Sequence, residues 1–229
     1  MNRQLVHGLT GALLALLAGC GGLRQERTPQ APSEPTPTPA PAPAPAQGAV
    51  QQPAAAIALS WDDDPSRKVW SEALLAAIRE HKADLERGNP DAFVAGYSTL
   101  SPDDQAKYWA ELVIAMAKYE SNWNPHARLK EPPPLNVTSL GLLQLSYEDA
   151  KQYDLGPLDR DAHSLEDPAV NLRCGVAILA HLLARDQTVA AGRGDASRGG
   201  ARYWAVLRDG RKHRLAEIKS YVRHALGMA

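Results

Sequence analysis

Aromatic residues are scarce in this chain. A single phenylalanine stands among 229 residues and aromatics make up 6% of them, yet all five tryptophans fall after Ala56, so the material for a core is concentrated in the C-terminal three quarters. Cysteine is nearly absent, at positions 20 and 174 only. Cys174 falls on an apolar helical stripe and reads as a small core residue, not a nucleophile. No charge of one sign dominates: the formal net charge is -1, which offers nothing to a polyanion such as nucleic acid. The one N-terminal apolar run, residues 9–18, is too short to span a bilayer. No second histidine stands at metal-ligand spacing from His81, and neither a metal nor a cofactor is expected. With 44% hydrophobic content, the length suits one globular domain plus extra segments; two folded domains would be a squeeze.

The N-terminal quarter divides in two. Residues 1–19 read as a secretory signal, with Arg3 as its positive start and small residues before the cleavage point. Leu17-Ala18-Gly19-Cys20 resembles the lipobox of bacterial lipoproteins, which implies cleavage before Cys20, lipidation of that cysteine and a membrane anchor of more than one acyl chain. Gly21 and Gly22 follow, with no aspartate there, so by analogy the expected address is the outer membrane, facing the periplasm. Residues 28–53 are built from Thr-Pro, Ala-Pro and Glu-Pro steps. Proline fixes φ and removes donors, and there is almost nothing to bury, so a disordered, extended tether is expected, at about 3.1 Å per residue. The expected division is a signal at 1–19, a lipidated linker at 20–59 and a folded domain at 60–229.

That domain is expected to be all-α. Residues 62–64 ahead of Pro65 make an acidic helix start, and Val69, Trp70, Ala73, Leu74, Ala77, Ile78, His81 and Leu85 mark one face until Gly88. Residues 89–100 are left open. Ser101-Pro102-Asp103-Asp104 is a helix cap, and its two carboxylates belong to the cap. Asp167-Pro168 caps a long helix whose stripe holds Val170, Cys174, Ala177, Ile178, His181 and Leu182. Helical pattern resumes around Tyr203 and again from Leu215.

The centre of interest is the end of the helix that Ser101 opens. Tyr108, Trp109, Leu112, Val113, Met116 and Tyr119 recur at helical spacing as one broad buried stripe, and Pro125 with Asn122 and Asn124 forces a stop. Glu120 stands in the last turn. Burial and the negative end of the helix dipole both raise a carboxyl pKa, and a glutamate protonated near neutrality can serve as a general acid. An ordinary solvated glutamate is the alternative that this segment alone leaves open.

Three ordered motifs bear on it. Glu120-Ser121-Asn122-Trp123-Asn124-Pro125, then Ser139-Leu140-Gly141-Leu142-Leu143-Gln144, then the run from Asp167 through Asn171 to Gly175 resemble the lytic transglycosylase family, soluble-type branch, from about residue 101 to 183. Trp123 stands where that family has Phe, and Leu143 where it has Met. The resemblance implies a lysozyme-like fold and peptidoglycan glycan strands as partner. It implies Glu120 as the catalytic residue, with Ser121, Ser139, Gly141, Leu143, Gln144 and Tyr203 on the substrate. Tyr203 is carried over from a family segment that 201–205 matches only at the tyrosine. Asn171 and Gly175 serve packing or the positioning of the cleft.

The implied reaction cleaves the β-1,4 bond between N-acetylmuramic acid and N-acetylglucosamine. One glutamate is acid then base, the muramic acid 6-hydroxyl attacks, and a 1,6-anhydro end results. Two alternatives stand beside it. A goose-type hydrolytic muramidase would use Glu131 or Asp149 to activate water, although Glu131 reads more simply as a solvated loop charge. A non-catalytic lipoprotein would only hold glycan. The basic run from 198 to 223 could favour anionic stem peptides, although a solvated face is the simpler reading.

Overall fold

In the computed structural model, which describes residues 56–228, the chain joins the core at Leu59 and Trp61, which are buried. Trp61 Nε1 donates to Ser71 Oγ at 2.7 Å, and Ser71 Oγ donates in turn to Asp62, so the first turn is pinned to the first helix. The expected signal peptide, the lipidation at Cys20 and most of the tether lie outside the described residues.

Helix α1 (Lys68–Glu80) buries Ser71, Leu74, Leu75, Ala77 and Ile78. That stripe is rotated from the expected one. Val69 is 64% exposed, because a helix that buries positions 71, 74, 75 and 78 turns position 69 outward. After His81 the chain makes α2 (Lys82–Glu86), then passes through Asn89 at φ 51° into α3 (Pro90–Phe93) and a 3-10 turn at Tyr97–Thr99. The aromatics meet here: Trp109 Nε1 donates to Tyr97 Oη at 3.0 Å, and Tyr108 Oη donates to the Pro90 carbonyl at 3.1 Å. Each polar edge inside this cluster has a partner, as burial demands.

Helix α4 (Pro102–Ser121) starts as its cap dictates. Ser101 Oγ accepts from the Asp104 N–H at 3.1 Å and Pro102 occupies the first turn. Its interior departs from a single stripe, since every residue from 108 to 117 is buried. The remaining faces are covered because Ala106, Ala110, Ala115 and Ala117 let neighbouring elements approach closely. Glu111 sits within this enclosed stretch at 0% exposure. Its carboxylate accepts from the Ser60 N–H at 2.9 Å and from Ser60 Oγ, which also meets Tyr221 Oη at 2.7 Å.

Two short antiparallel ribbons interrupt the helices. β1 (Arg128–Lys130) pairs with β2 (Thr138–Leu140), placing Leu129 opposite Ser139. Helix α5 (Asp149–Tyr153) precedes α6 (Pro168–Asp186), capped by Asp167, which accepts from the Val170 N–H at 3.0 Å. Cys174 is buried at 0% exposure, a core residue. His181, at the edge of the α6 buried arc, is exposed and meets Tyr153 edge-on at 5.4 Å. β3 (Ala190–Ala191) pairs with β4 (Arg198–Gly199), and α7 (Leu215–Ala225) closes the fold with Ile218 and Val222 inward. Helix α6 packs on α1 and α2, while α4 packs on α1 and α7. Among the described residues no helix is long and apolar enough to cross a membrane.

Candidate active site

Helix α4 ends in two consecutive left-handed residues, Asn122 at φ 54° and Trp123 at φ 60°. The Asn122 and Trp123 N–H groups turn back onto the Lys118 and Ala117 carbonyls at 3.0 and 3.3 Å, which satisfies the last turn and ends the helix sharply. Glu120 is thereby left in the final turn, half-buried. Its carboxyl is pushed up to about 7, first by burial and then by the charge of Glu131. The Val206 N–H and the Arg208 guanidinium pull in the other direction. Burial is the contribution expected from the sequence; the Glu131 charge is not.

The turn at 141–144 is held against α4 and α6 by groups that have little freedom. Leu140 and Leu145 exchange backbone hydrogen bonds at 2.8 and 2.9 Å, and the turn between them needs Gly141 at φ 74° and Gln144 at φ 51°. A Cβ on Gly141 would lie 2.4 Å from Asn171 Nδ2 and 2.5 Å from the Leu165 carbonyl, so only glycine fits. Asn171, at 0% exposure, spends its whole amide here. Nδ2 donates to the Leu140 and Leu165 carbonyls at 3.0 and 2.9 Å, and Oδ1 accepts the Leu143 N–H at 2.9 Å. Trp204 Nε1 donates to the Leu143 carbonyl at 3.0 Å. Gly175 supplies the remaining space, since a Cβ there would lie 2.1 Å from Leu143 Cδ1. The second and third motifs are therefore one packing unit.

Several of the residues expected on substrate have other occupations. Leu143 is a correction: its side chain is buried at 0% exposure against Gly175 and cannot line a cleft. Ser121 Oγ donates to the Ala117 and Leu142 carbonyls at 3.1 and 2.9 Å, so it ties the end of α4 to the turn. Ser139 Oγ donates to Glu131 Oε1 at 2.9 Å. Gln144 Nε2 donates to the Gly141 and Ala127 carbonyls at 2.9 and 3.3 Å, while among the described residues its Oε1 has no hydrogen-bond partner. Tyr203 Oη donates to Asp149 Oδ2, which also accepts the Ser146 N–H and hydroxyl at 2.8 and 3.0 Å. Burial first, then the Asp149 charge, holds the Tyr203 phenol well above its ordinary value.

Of the acids offered beside Glu120, Glu131 is the one whose charge bears on it. Glu131 is only partly exposed, held by Ser139 and by its own N–H donating to the Val137 carbonyl at 2.9 Å. A freely solvated loop charge is therefore the wrong description. Val206 and Arg208 were missed, and no local pattern marks them, because their approach to Glu120 depends on a loop that closes from the far end of the chain.

The same segment carries the likeness to known proteins. The Transglycosylase SLT domain family matches residues 101–195, which hold Glu120, the turn at 141–144 and Asn171. The solved structure "Bd0314 DslA wild-type form 2" is similar, with a TM-score of 0.63 and 32% identity over 74% of this chain and 96% of that one. Two glutamate-to-glutamine mutants of DslA are similar too. One has a TM-score of 0.63 at 32% identity over 73% and 95% of the two chains, the other 0.60 at 30% over 74% and 96%. No curated protein matches. Ordered motifs joined into one packing unit, a mostly helical lysozyme-like fold and identity sustained along nearly the whole of a solved relative agree, and the chain belongs to the transglycosylase SLT family.

Proposed function

We propose that this protein is a peptidoglycan lytic transglycosylase, cleaving the β-1,4 bond between N-acetylmuramic acid and N-acetylglucosamine with Glu120 as acid and then base. The observation that carries this is the Glu120 carboxyl at the end of α4, half-buried and with its pKa raised to about 7, so that it holds a proton where ordinary glutamates have lost theirs. Glu120 gives that proton to the glycosidic oxygen and the N-acetylglucosamine side leaves with a free 4-hydroxyl. The substrate's own N-acetyl oxygen supports C1 meanwhile. The Glu120 carboxylate, steadied by the Val206 N–H and Arg208, then takes the proton of the muramic acid 6-hydroxyl as O6 bonds to C1. The 1,6-anhydro end forms and no water is consumed. Gln144 Oε1 is the acceptor available to a sugar hydroxyl or acetamido N–H.

A second reading, hydrolysis with Glu131 activating water, is favoured by one specific observation: Glu131 is held by Ser139 and its charge reaches Glu120. Glycosidases of that kind use two carboxylates about 5 to 10 Å apart. The glutamates substituted in the two DslA mutants stand eleven residues apart, the separation of Glu120 and Glu131 here. Mass spectrometry of digested sacculi separates the two readings. Anhydro ends, absent with Glu120→Gln, support the lytic reaction; reducing ends heavier by one water, lost with Glu131→Gln, support hydrolysis. Binding without turnover in any form would leave a glycan-holding protein. With this reading goes a lipid anchor at Cys20 in the outer membrane, facing the periplasm; a Cys20→Ser chain recovered in the soluble periplasmic fraction supports the anchor, and one that stays with the membrane removes it.

A further inference from the structure

Asp149 is a buried carboxylate to which the reaction at Glu120 gives no task. It opens helix α5 at 8% exposure and, among the described residues, makes no ion pair. A buried charge without a counter-ion adds little to stability. Its Oδ2 instead gathers three donors from two parts of the chain: the Ser146 N–H and hydroxyl at 2.8 and 3.0 Å, and the hydroxyl of Tyr203, 54 residues away in sequence. The local pair fixes the carboxylate just past the turn at 141–144. The distant donor fixes Tyr203 to the carboxylate.

Tyr203 stands between two short 3-10 turns, Gly200–Arg202 and Ala205–Leu207. The second of them brings the Val206 N–H to Glu120, as the first turn of a helix leaves its N–H groups to outside partners. Trp204 Nε1 holds the same segment to the Leu143 carbonyl at 3.0 Å. Adjacent side chains therefore tie it to the two ends of one short stretch, residues 143–149, and the segment meets Glu120 three residues after the Asp149 bond. We propose that Asp149 is a positioning residue, acting through the Tyr203 hydroxyl to hold the segment so that the Val206 N–H stays on the Glu120 carboxylate. Asp149 is then neither a base that activates water nor a contact to substrate. This rests on the reading of Glu120 as the acid, but its consequence is measured on Glu120 itself.

The test is titration of Glu120 in the full chain by carboxyl-carbon NMR, set beside the pH profile of cleavage. Glu120 is faced by Glu131 from the hairpin and by Arg208 from the held segment, and the variants alter neither. Tyr203→Phe keeps the ring and removes only the bond to Asp149. Loosening the Val206 N–H withdraws support from the ionised form, so the Glu120 midpoint should rise by roughly half a pH unit. The alkaline limb of cleavage should move with it to higher pH. Asp149→Ala should give the same rise, and the double variant no more than either alone. Asp149→Asn keeps an acceptor for Tyr203 and should stay near the wild type. Any lost buried bond lowers a melting temperature, so the midpoint decides and the melt does not. A midpoint unmoved in Tyr203→Phe, or shifts that add in the double variant, overturns the proposal. Loss of the wild type's turnover in Asp149→Asn also overturns it, by making Asp149 a base. A wild type that cleaves nothing while the midpoint shifts as stated removes the reaction and leaves the positioning.

Discussion

Glu131 acts on Glu120 across a hairpin: its carboxylate, accepting from Ser139 Oγ at 2.9 Å, raises the Glu120 pKa above what burial alone would give. Two like charges close together cannot both ionise cheaply, and the more buried group keeps the proton. The acid of this site is therefore made by two elements, the last turn of α4 and the loop that joins β1 to β2.

Removing the Glu131 charge should lower the Glu120 pKa without returning it to 4.5, because burial remains the larger cause. In the rate-against-pH profile, Glu131→Gln should move the alkaline limb to lower pH while leaving its slope unchanged. An alkaline limb that stays in place would show that Glu131 does not influence the acid. If the hydrolytic reading holds, the same variant instead abolishes turnover.

Glu120 should also weaken the fold above neutrality. Its native pKa of about 7 lies above the ordinary 4.5, so between these values the native state holds a proton that the unfolded chain has lost. Stability attributable to this group is present below about 4.5, falls as pH rises through about 7 and stays low beyond. The full cost is at most about 3 kcal/mol. Glu120→Gln should match the wild type in urea unfolding near about pH 4 and exceed it by roughly that amount near about pH 8. Equal stability of the two at the higher pH would contradict the raised pKa.

The packing unit of Leu143, Asn171 and Gly175 should be intolerant of small changes. Asn171→Ala leaves the buried Leu143 N–H without its partner and removes one donor each from the Leu140 and Leu165 carbonyls, a loss of about 2 kcal/mol or more. Gly175→Ala drives a methyl into Leu143 Cδ1 and should cost about 1 to 3 kcal/mol. Adding Leu143→Val to Gly175→Ala should recover part of that loss. No recovery in the double variant would mean that the contact is not the cause.

Glu111, in the middle of α4, makes a comparable prediction. Burial first, opposed by Ser60, raises its pKa. Glu111→Ala orphans the Ser60 N–H and should destabilise by about 1 to 3 kcal/mol. Glu111→Gln keeps an acceptor and should lose less; thermal melts that rank the two the other way round would refute the arrangement.

How much of this could be read beforehand follows from the range over which each signal acts. Glu120, Gly141, Asn171 and Gly175 stood in ordered motifs, and the left-handed stop after Glu120 was written in Asn122, Asn124 and Pro125. Glu131 is offered by the sequence as a second acid but reads there as a solvated loop charge, because its partner Ser139 is reached only through the register of a three-residue ribbon, too short for alternation to show. Glu111 was hidden because Ser60 lies 51 residues away. The periodicity of α4 predicts a single stripe and not enclosure on every side, because alanine carries little hydrophobic signal of its own. Leu143 is expected on substrate as part of its motif, whereas its apolar side chain goes inward to Gly175 and its backbone N–H and carbonyl are taken by Asn171 and Trp204.

The most direct test is titration of Glu120 itself. Side-chain carboxyl carbon NMR of the uniformly labelled protein, with the Glu120 signal identified by its loss in Glu120→Gln, should give a midpoint near 7. A midpoint near the ordinary glutamate value of 4.5 would leave Glu120 ionised at neutral pH, with no proton to give, and would contradict the account.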